Sequence, residues 1–135
     1  MVFRCIIQDL TKGVGIYDDM KRLAKETSDP SRTQSFFDLR FLAFHSDKIE
    51  HGGLACLVHQ ALNRRLENDW RIRASDWEAE QLVDRQILYA ADDSVSALQV
   101  MAKFHQLMPV KDIKRVIRNN FHKDFDTKTM RQYEL

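Results

Sequence analysis

Residues 84–106 are the longest stretch with a helical hydrophobic period, and any fold must be arranged around it. At about 100° per residue, Ile87, Ala91, Val95, Leu98 and Ala102 fall on one apolar stripe. That stripe predicts a helix packing this face into a core. Tyr89 and Asp93, one turn apart, share a second face about 200° from Ile87. Asp92 stands about 100° from Asp93, so the two carboxylates do not easily serve one site. The second face therefore offers one phenol beside one carboxylate, pointing away from the stripe.

The chain has 135 residues, one domain's worth, and is 44% hydrophobic and 30% charged, as ordinary globular proteins are. No apolar run approaches the roughly 20 residues that span a bilayer, so no membrane partner is expected. Arg4 and Asp9 interrupt the apolar start MVFRCIIQDL, so no signal peptide is read. Cys5 and Cys56 make no disulfide framework and fit a reducing, intracellular compartment; nucleus and cytoplasm are not distinguished. Charge is uneven. Residues 1–102 hold 13 Lys/Arg against 16 Asp/Glu, whereas residues 103–135 hold 8 against 4.

Along the chain, Val14–Tyr17 reads as a short strand running into a helix capped by Asp18, with Met20, Leu23 and Ala24 at helical spacing. TSDPSRTQS (27–35) is a loop by composition. FFDLRFLAF (36–44) opens as a buried strand and turns helical. Gly52-Gly53 starts a helix with Leu54, Leu57, Val58, Ala61, Leu62 and Leu66 on one face. Residues 67–82 are irregular and polar, with Trp70 and Trp77 as anchors. Pro109 ends or kinks the long helix. A last amphipathic helix follows, burying Val110, Ile113, Val116, Ile117 and Phe121 and showing Lys111, Lys114, Arg115 and Arg118. Strands alternating with helices indicate α/β, yet two strands are too few for a stable sheet.

Three motifs follow one another: VGI-x-x-D (14–19), SDWEAEQL (75–82) and Q-I-x-Y-A-A-x-D (86–93). In this order the run from Lys12 to Phe104 resembles the DnaQ-like 3′–5′ exonucleases, in their tyrosine-containing subclass, and is similar to Werner-type and 3′–5′ exonuclease domain-containing proteins. The resemblance implies an RNase H-like fold and two-metal hydrolysis of the terminal phosphodiester of single-stranded DNA or RNA. By position, Asp19 matches the acidic residue of the second motif and Asp93 the metal-binding aspartate of the third. Tyr89 matches the tyrosine that orients the attacking water, and Asp92 a variable position.

Hydrolysis of an anionic phosphodiester builds further negative charge on oxygen, which two divalent cations offset. Mg²⁺ or Mn²⁺ are the implied cofactors, because hard cations take carboxylate oxygens in preference to thiols. The sequence departs from the family in its first motif. The thirteen residues before Val14 hold no Asp-x-Glu. DFDTK (124–128) is a decoy, with Lys128 where glutamate is required. Asn68 and Val83 also differ from the family pattern, although Asp84 could replace the missing helix cap.

The expectation is therefore the C-terminal portion of an exonuclease domain over residues 1–106, lacking its first strands, and a basic helical extension over 107–135. A longer natural chain or a protein partner would supply the first motif. The alternative is a catalytically inactive nucleic-acid-binding or scaffold module of the same ancestry. Read locally, Asp19 is a first-turn acid favoured by the helix dipole. The basic set Lys111, Lys114, Arg115 and Arg118 is a solvated face, or in the sharper reading a phosphate track. His45, His51, His59 and Cys56 have no recognised zinc spacing.

Overall fold

The computed structural model describes residues 2–5, 10–26, 36–46, 49, 52–67 and 69–126. Three strands make a small mixed sheet in the order β1-β2-β3: β1 (Val2–Cys5), β2 (Leu10–Gly13) and β3 (Phe36–Asp38). β1 pairs antiparallel with β2, Val2 opposite Gly13 and Cys5 opposite Leu10. β2 and β3 are parallel, with Gly13 opposite Asp38. A parallel pair needs a crossover, and helix α1 (Ile16–Glu26) lies within it.

Five further helices follow: α2 (Arg40–His45), α3 (Leu54–Leu62), α4 (Trp70–Arg73), α5 (Asp84–Leu107) and α6 (Val110–Asn120). Their apolar residues meet in one core. Phe37, Leu39 and Leu42 enter it from the β3–α2 segment, Leu57 and Val58 from α3. Val100 and Phe104 enter from α5, and Ile113 and Val116 from α6. Fully burying one such aliphatic or aromatic side chain contributes about 2–3 kcal/mol. A smaller cluster of Ile16, Met20 and Phe36 fixes α1 on the sheet.

Several expectations are corrected. The first read strand lies at Leu10–Gly13, and Ile16 already begins the helix. Gly15, at φ +64°, turns the chain there, a conformation that glycine reaches without Cβ strain. Asp18 and Asp19 thus lie in the first helical turn, inside the helix. α3 stops at Leu62 because Asn63 turns left-handed, so Leu66 reaches the core from a loop. Trp70 is 65% exposed and anchors nothing, while Val110 and Phe121 also remain largely exposed. Phe125, inside the decoy DFDTK, is a buried core residue packed on Phe41; residues 127 and 128 lie outside the described part.

The largest correction concerns α5. Ile87, Val95 and Leu98 are 51%, 49% and 45% exposed, and Ala91 and Ala102 face solvent beside them. The buried face is the other one: Tyr89, Asp93, Ser96, Ala97, Val100, Met101 and Phe104. The physical reason is that the Tyr89–Asp93 face continues into the larger apolar group. Val100 and Phe104 lie about 20° to either side of Asp93 on the helical wheel. The stripe from Ile87, by contrast, is diluted by two alanines.

Candidate active site on the inward face of α5

Tyr89 and Asp93 are placed by packing at both ends of α5. Phe104 and Val100 hold its C-terminal half in the core. At its start, Gln86, which is 5% exposed, does the work of a cap: its Oε1 accepts from the Val83 amide at 2.9 Å. Its Nε2 donates to Ser75 Oγ and to the Asp76 carbonyl, both at 2.9 Å. The cap missing at Val83 is thus supplied by Gln86, within the Q-I-x-Y-A-A-x-D motif, and not by Asp84. Ser75 in turn donates to the Ile72 carbonyl, tying α4 into the same junction. Trp77 leans on Tyr89 with ring centroids 6.0 Å apart.

Asp93 is 8% exposed and Tyr89 7%. Burial pushes the Asp93 carboxyl above its ordinary pKa; the N-terminal ammonium charge opposes the shift and the Asp92 charge adds to it. Burial, then the Asp93 charge, pushes the Tyr89 phenol up as well, with Arg73 opposing and Glu67 adding. Tyr89 is therefore a neutral O–H donor at physiological pH. Asp93 is thus a nearly buried acid, which costs stability unless a positive charge or a donor faces it.

Asp92 does something else, as its helical angle implies. Its Oδ2 accepts from the Glu67 amide at 3.3 Å, and its Oδ1 meets Arg64 at 3.5 Å and the Ser96 hydroxyl at 3.3 Å. Arg64 also donates to Ser96 at 2.6 Å and to Gln99 at 2.9 Å. This network fastens the segment after α3 to α5. Beside it opens a groove of about 600 Å³ lined by His59, Arg65, Leu66, Glu67 and Asp69.

Asp19 is half-buried in the first turn of α1. α1 and α5 both touch the edge strand β1, so the elements bearing Asp19 and Asp93 flank the same strand. The two acids do not make a full cage: among the described residues no group of three or more His, Cys, Asp or Glu could hold a metal ion. Asp19 and Asp93 fit a divalent cation by donor chemistry, as hard oxygen ligands.

Lys111, Lys114, Arg115 and Arg118 are all exposed on α6. Arg115 pairs with Asp112 at 3.3 Å, a bond of little energetic weight at that exposure. α6 meets the last turns of α5, at residues 101–105, roughly 12–18 Å along the axis from Asp93. The basic set and the Tyr89–Asp93 pair therefore belong to different ends of α5.

Sequence reasoning missed one buried constellation. Asp38, 1% exposed, sits at the end of β3 and accepts from the Gly15 amide at 2.9 Å. Arg40 grips the same carboxylate, and its guanidinium lies 4.9 Å from the Phe125 ring centre. The signal was the Asp-Leu-Arg spacing directly after two phenylalanines, which put an acid inside a buried strand.

A family model described as 3′–5′ exonuclease matches residues 12–109, more than half of the chain. The chain belongs to the 3′–5′ exonuclease family. Its exonuclease-matched part contains Asp19, Tyr89 and Asp93, while residues 110–135 lie beyond it. It is 32% identical over 95 residues to the exonuclease 3′–5′ domain-containing protein 2 of Drosophila melanogaster, covering 68% of this chain and 16% of that protein. Among solved structures it is similar to the EXD2 exonuclease domain soaked in Mn, at 27% identity and TM-score 0.40, covering 78% of this chain and 53% of that one. It is similar also to that domain soaked in Mn and dGMP, at 25% identity and TM-score 0.38, covering 82% and 54%. The chain thus spans about half of those exonuclease domains and a sixth of the curated relative. Among the described residues no helix is long and apolar enough to cross a membrane.

Proposed function

We propose that this chain carries the second and third acidic motifs of a metal-dependent 3′–5′ exonuclease acting on the terminal phosphodiester of DNA or RNA. The observation that supports this most is the inward Tyr89–Asp93 face of α5, inside the family-matched residues. Keeping an acid on a core-facing helix position costs stability. A polar role outweighs that cost more readily than packing does. Asp93 and Asp19 would hold Mg²⁺ or Mn²⁺, which when bound offsets the charge building on the phosphate oxygens.

The chain's own side chains do the rest. Tyr89, kept neutral by burial and by Asp93, donates its O–H to a water or phosphate oxygen without adding charge. Trp77 limits the swing of the phenol. Gln86 and the Asp92–Arg64 network hold α5 and the neighbouring loops in register. The groove beside Glu67 is within the size range of ligand sites and is where a terminal nucleotide would lie. Two-metal chemistry also needs the Asp-x-Glu of the family's first motif, which the residues before Val14 do not hold.

One observation favours a second reading, an inactive binding module. Among the described residues there is no metal-binding group of three. Titration with Mn²⁺, followed by the loss of its free paramagnetic resonance signal, separates the two. Binding that disappears in Asp93→Asn supports the enzyme; identical traces for both proteins refute a metal role for Asp93.

A further inference from the structure

A cleft of about 240 Å³ lies where the last turns of α5 meet α6. Its apolar walls are Met101, Val110, Ile113 and Ile117, and its rim carries His105, Lys114 and Arg118. The proposed active site uses none of these residues. We infer that this cleft docks an acidic amphipathic helix of a protein partner.

Size argues for side chains over a cofactor. Drug-sized ligands occupy roughly 300–1,000 Å³, and this cleft is smaller, suited to one or two aliphatic anchors. The walls are aliphatic, and His105 on the rim is the one ring beside the cleft, too little for the successive base stacking that single-stranded nucleic acid uses. A membrane surface is disfavoured too. Among the apolar residues of the cleft only Val110 is largely exposed, too little apolar surface for insertion among lipids but enough to seat one side chain. What remains open is a half-exposed Val110 next to an apolar slot, a helix-in-groove arrangement.

Charge then selects the partner. Among the described residues no carboxylate pairs with Lys114 or Arg118; the only ion pair on α6 is Arg115 with Asp112. A helix with leucines on one side and glutamates flanking them would meet both the slot and the rim.

The test is fluorescence anisotropy with the full chain and a labelled helical peptide of repeating Glu-Leu-Leu-Glu pattern. A version with lysine for every glutamate and a labelled oligo(dT) are measured alongside. The acidic peptide should bind at least about tenfold more tightly than the lysine version, and more weakly as salt rises. Lys114→Glu with Arg118→Glu, on the solvent side of α6, should weaken binding roughly tenfold with unchanged circular dichroism. Val110→Glu should do the same by filling the slot. Equal affinity for both peptides, or no effect of these substitutions, overturns the inference. Oligo(dT) binding lost with the same substitutions, and competing with the peptide, would instead assign the basic face to nucleic acid.

Discussion

Asp38 and Arg40, two residues apart, close a two-pronged ion pair at the end of the sheet. Arg40 Nη2 lies 2.7 Å from Asp38 Oδ2 and Nε 3.1 Å from Oδ1. The same carboxylate takes the Gly15 amide at 2.9 Å and the Arg40 amide at 3.0 Å. The pair thus joins the end of β3 to the turn that launches α1 and Asp19. Asp38→Ala strands the Gly15 N–H and leaves Arg40, whose side chain is only 16% exposed, without its anion. The expected loss is about 3–5 kcal/mol, read from urea denaturation midpoints. Arg40→Lys, which keeps charge but not the planar fork, should cost less, about 1–2 kcal/mol.

The orientation of α5 can be read from paired substitutions. Ile87→Lys and Leu98→Lys lie on the open face and should change stability by no more than about 0.5 kcal/mol. Val100→Ala, fully buried, should cost about 2 kcal/mol. Global unfolding of Leu98→Lys would mean that the helix packs the other way round.

Asp93 gives a pH dependence of defined sign. Its folded pKa is raised by burial first and by Asp92 last, against the lowering pull of the N-terminal ammonium, so the folded state binds the proton more tightly than the unfolded chain. Stability therefore falls as pH rises from the ordinary carboxyl value of 3.8 through the raised one, and the loss stays constant above it. Asp93→Asn removes the charge and keeps the shape. Thermal melts should show it more stable than the natural chain at neutral pH, with the advantage gone below the ordinary carboxyl pKa.

The adjacent acid should behave differently. Asp92 holds Arg64 and the Glu67 amide with its side chain one-third exposed, so Asp92→Asn should cost only about 1 kcal/mol. Mn²⁺ affinity should be unchanged in that variant and lost in Asp93→Asn. Equal loss in both would place the two carboxylates in one site.

Much of this was legible in the residues. The helix over 84–107, the Gly-Gly start of α3 and the strand-to-helix change at Phe36–His45 follow from period, caps and composition. The four-residue spacing of Tyr89 and Asp93 gave a shared face. Which face packs inward was read the wrong way, because both sides of α5 carry apolar residues and the larger group, Val100, Met101 and Phe104, lies beyond the Tyr89–Asp93 pair. The sheet partner β1 was also illegible: its strand identity rests on pairing with β2, a non-local contact. Asp38 was read as part of a strand and not as a buried acid, since its partner Gly15 is 23 residues away. The resemblance to exonucleases came from ordered motifs, and the family match over residues 12–109 bears it out.

The most direct measurement is a 3′-end degradation assay on single-stranded DNA and RNA with Mn²⁺ or Mg²⁺, using this chain, its Asp93→Ala variant and each of them with a first-motif segment supplied. Stepwise shortening by the completed natural chain, abolished by Asp93→Ala, is the predicted result. Shortening that persists in Asp93→Ala, or a folded and completed chain that leaves every 3′ end intact, would contradict it.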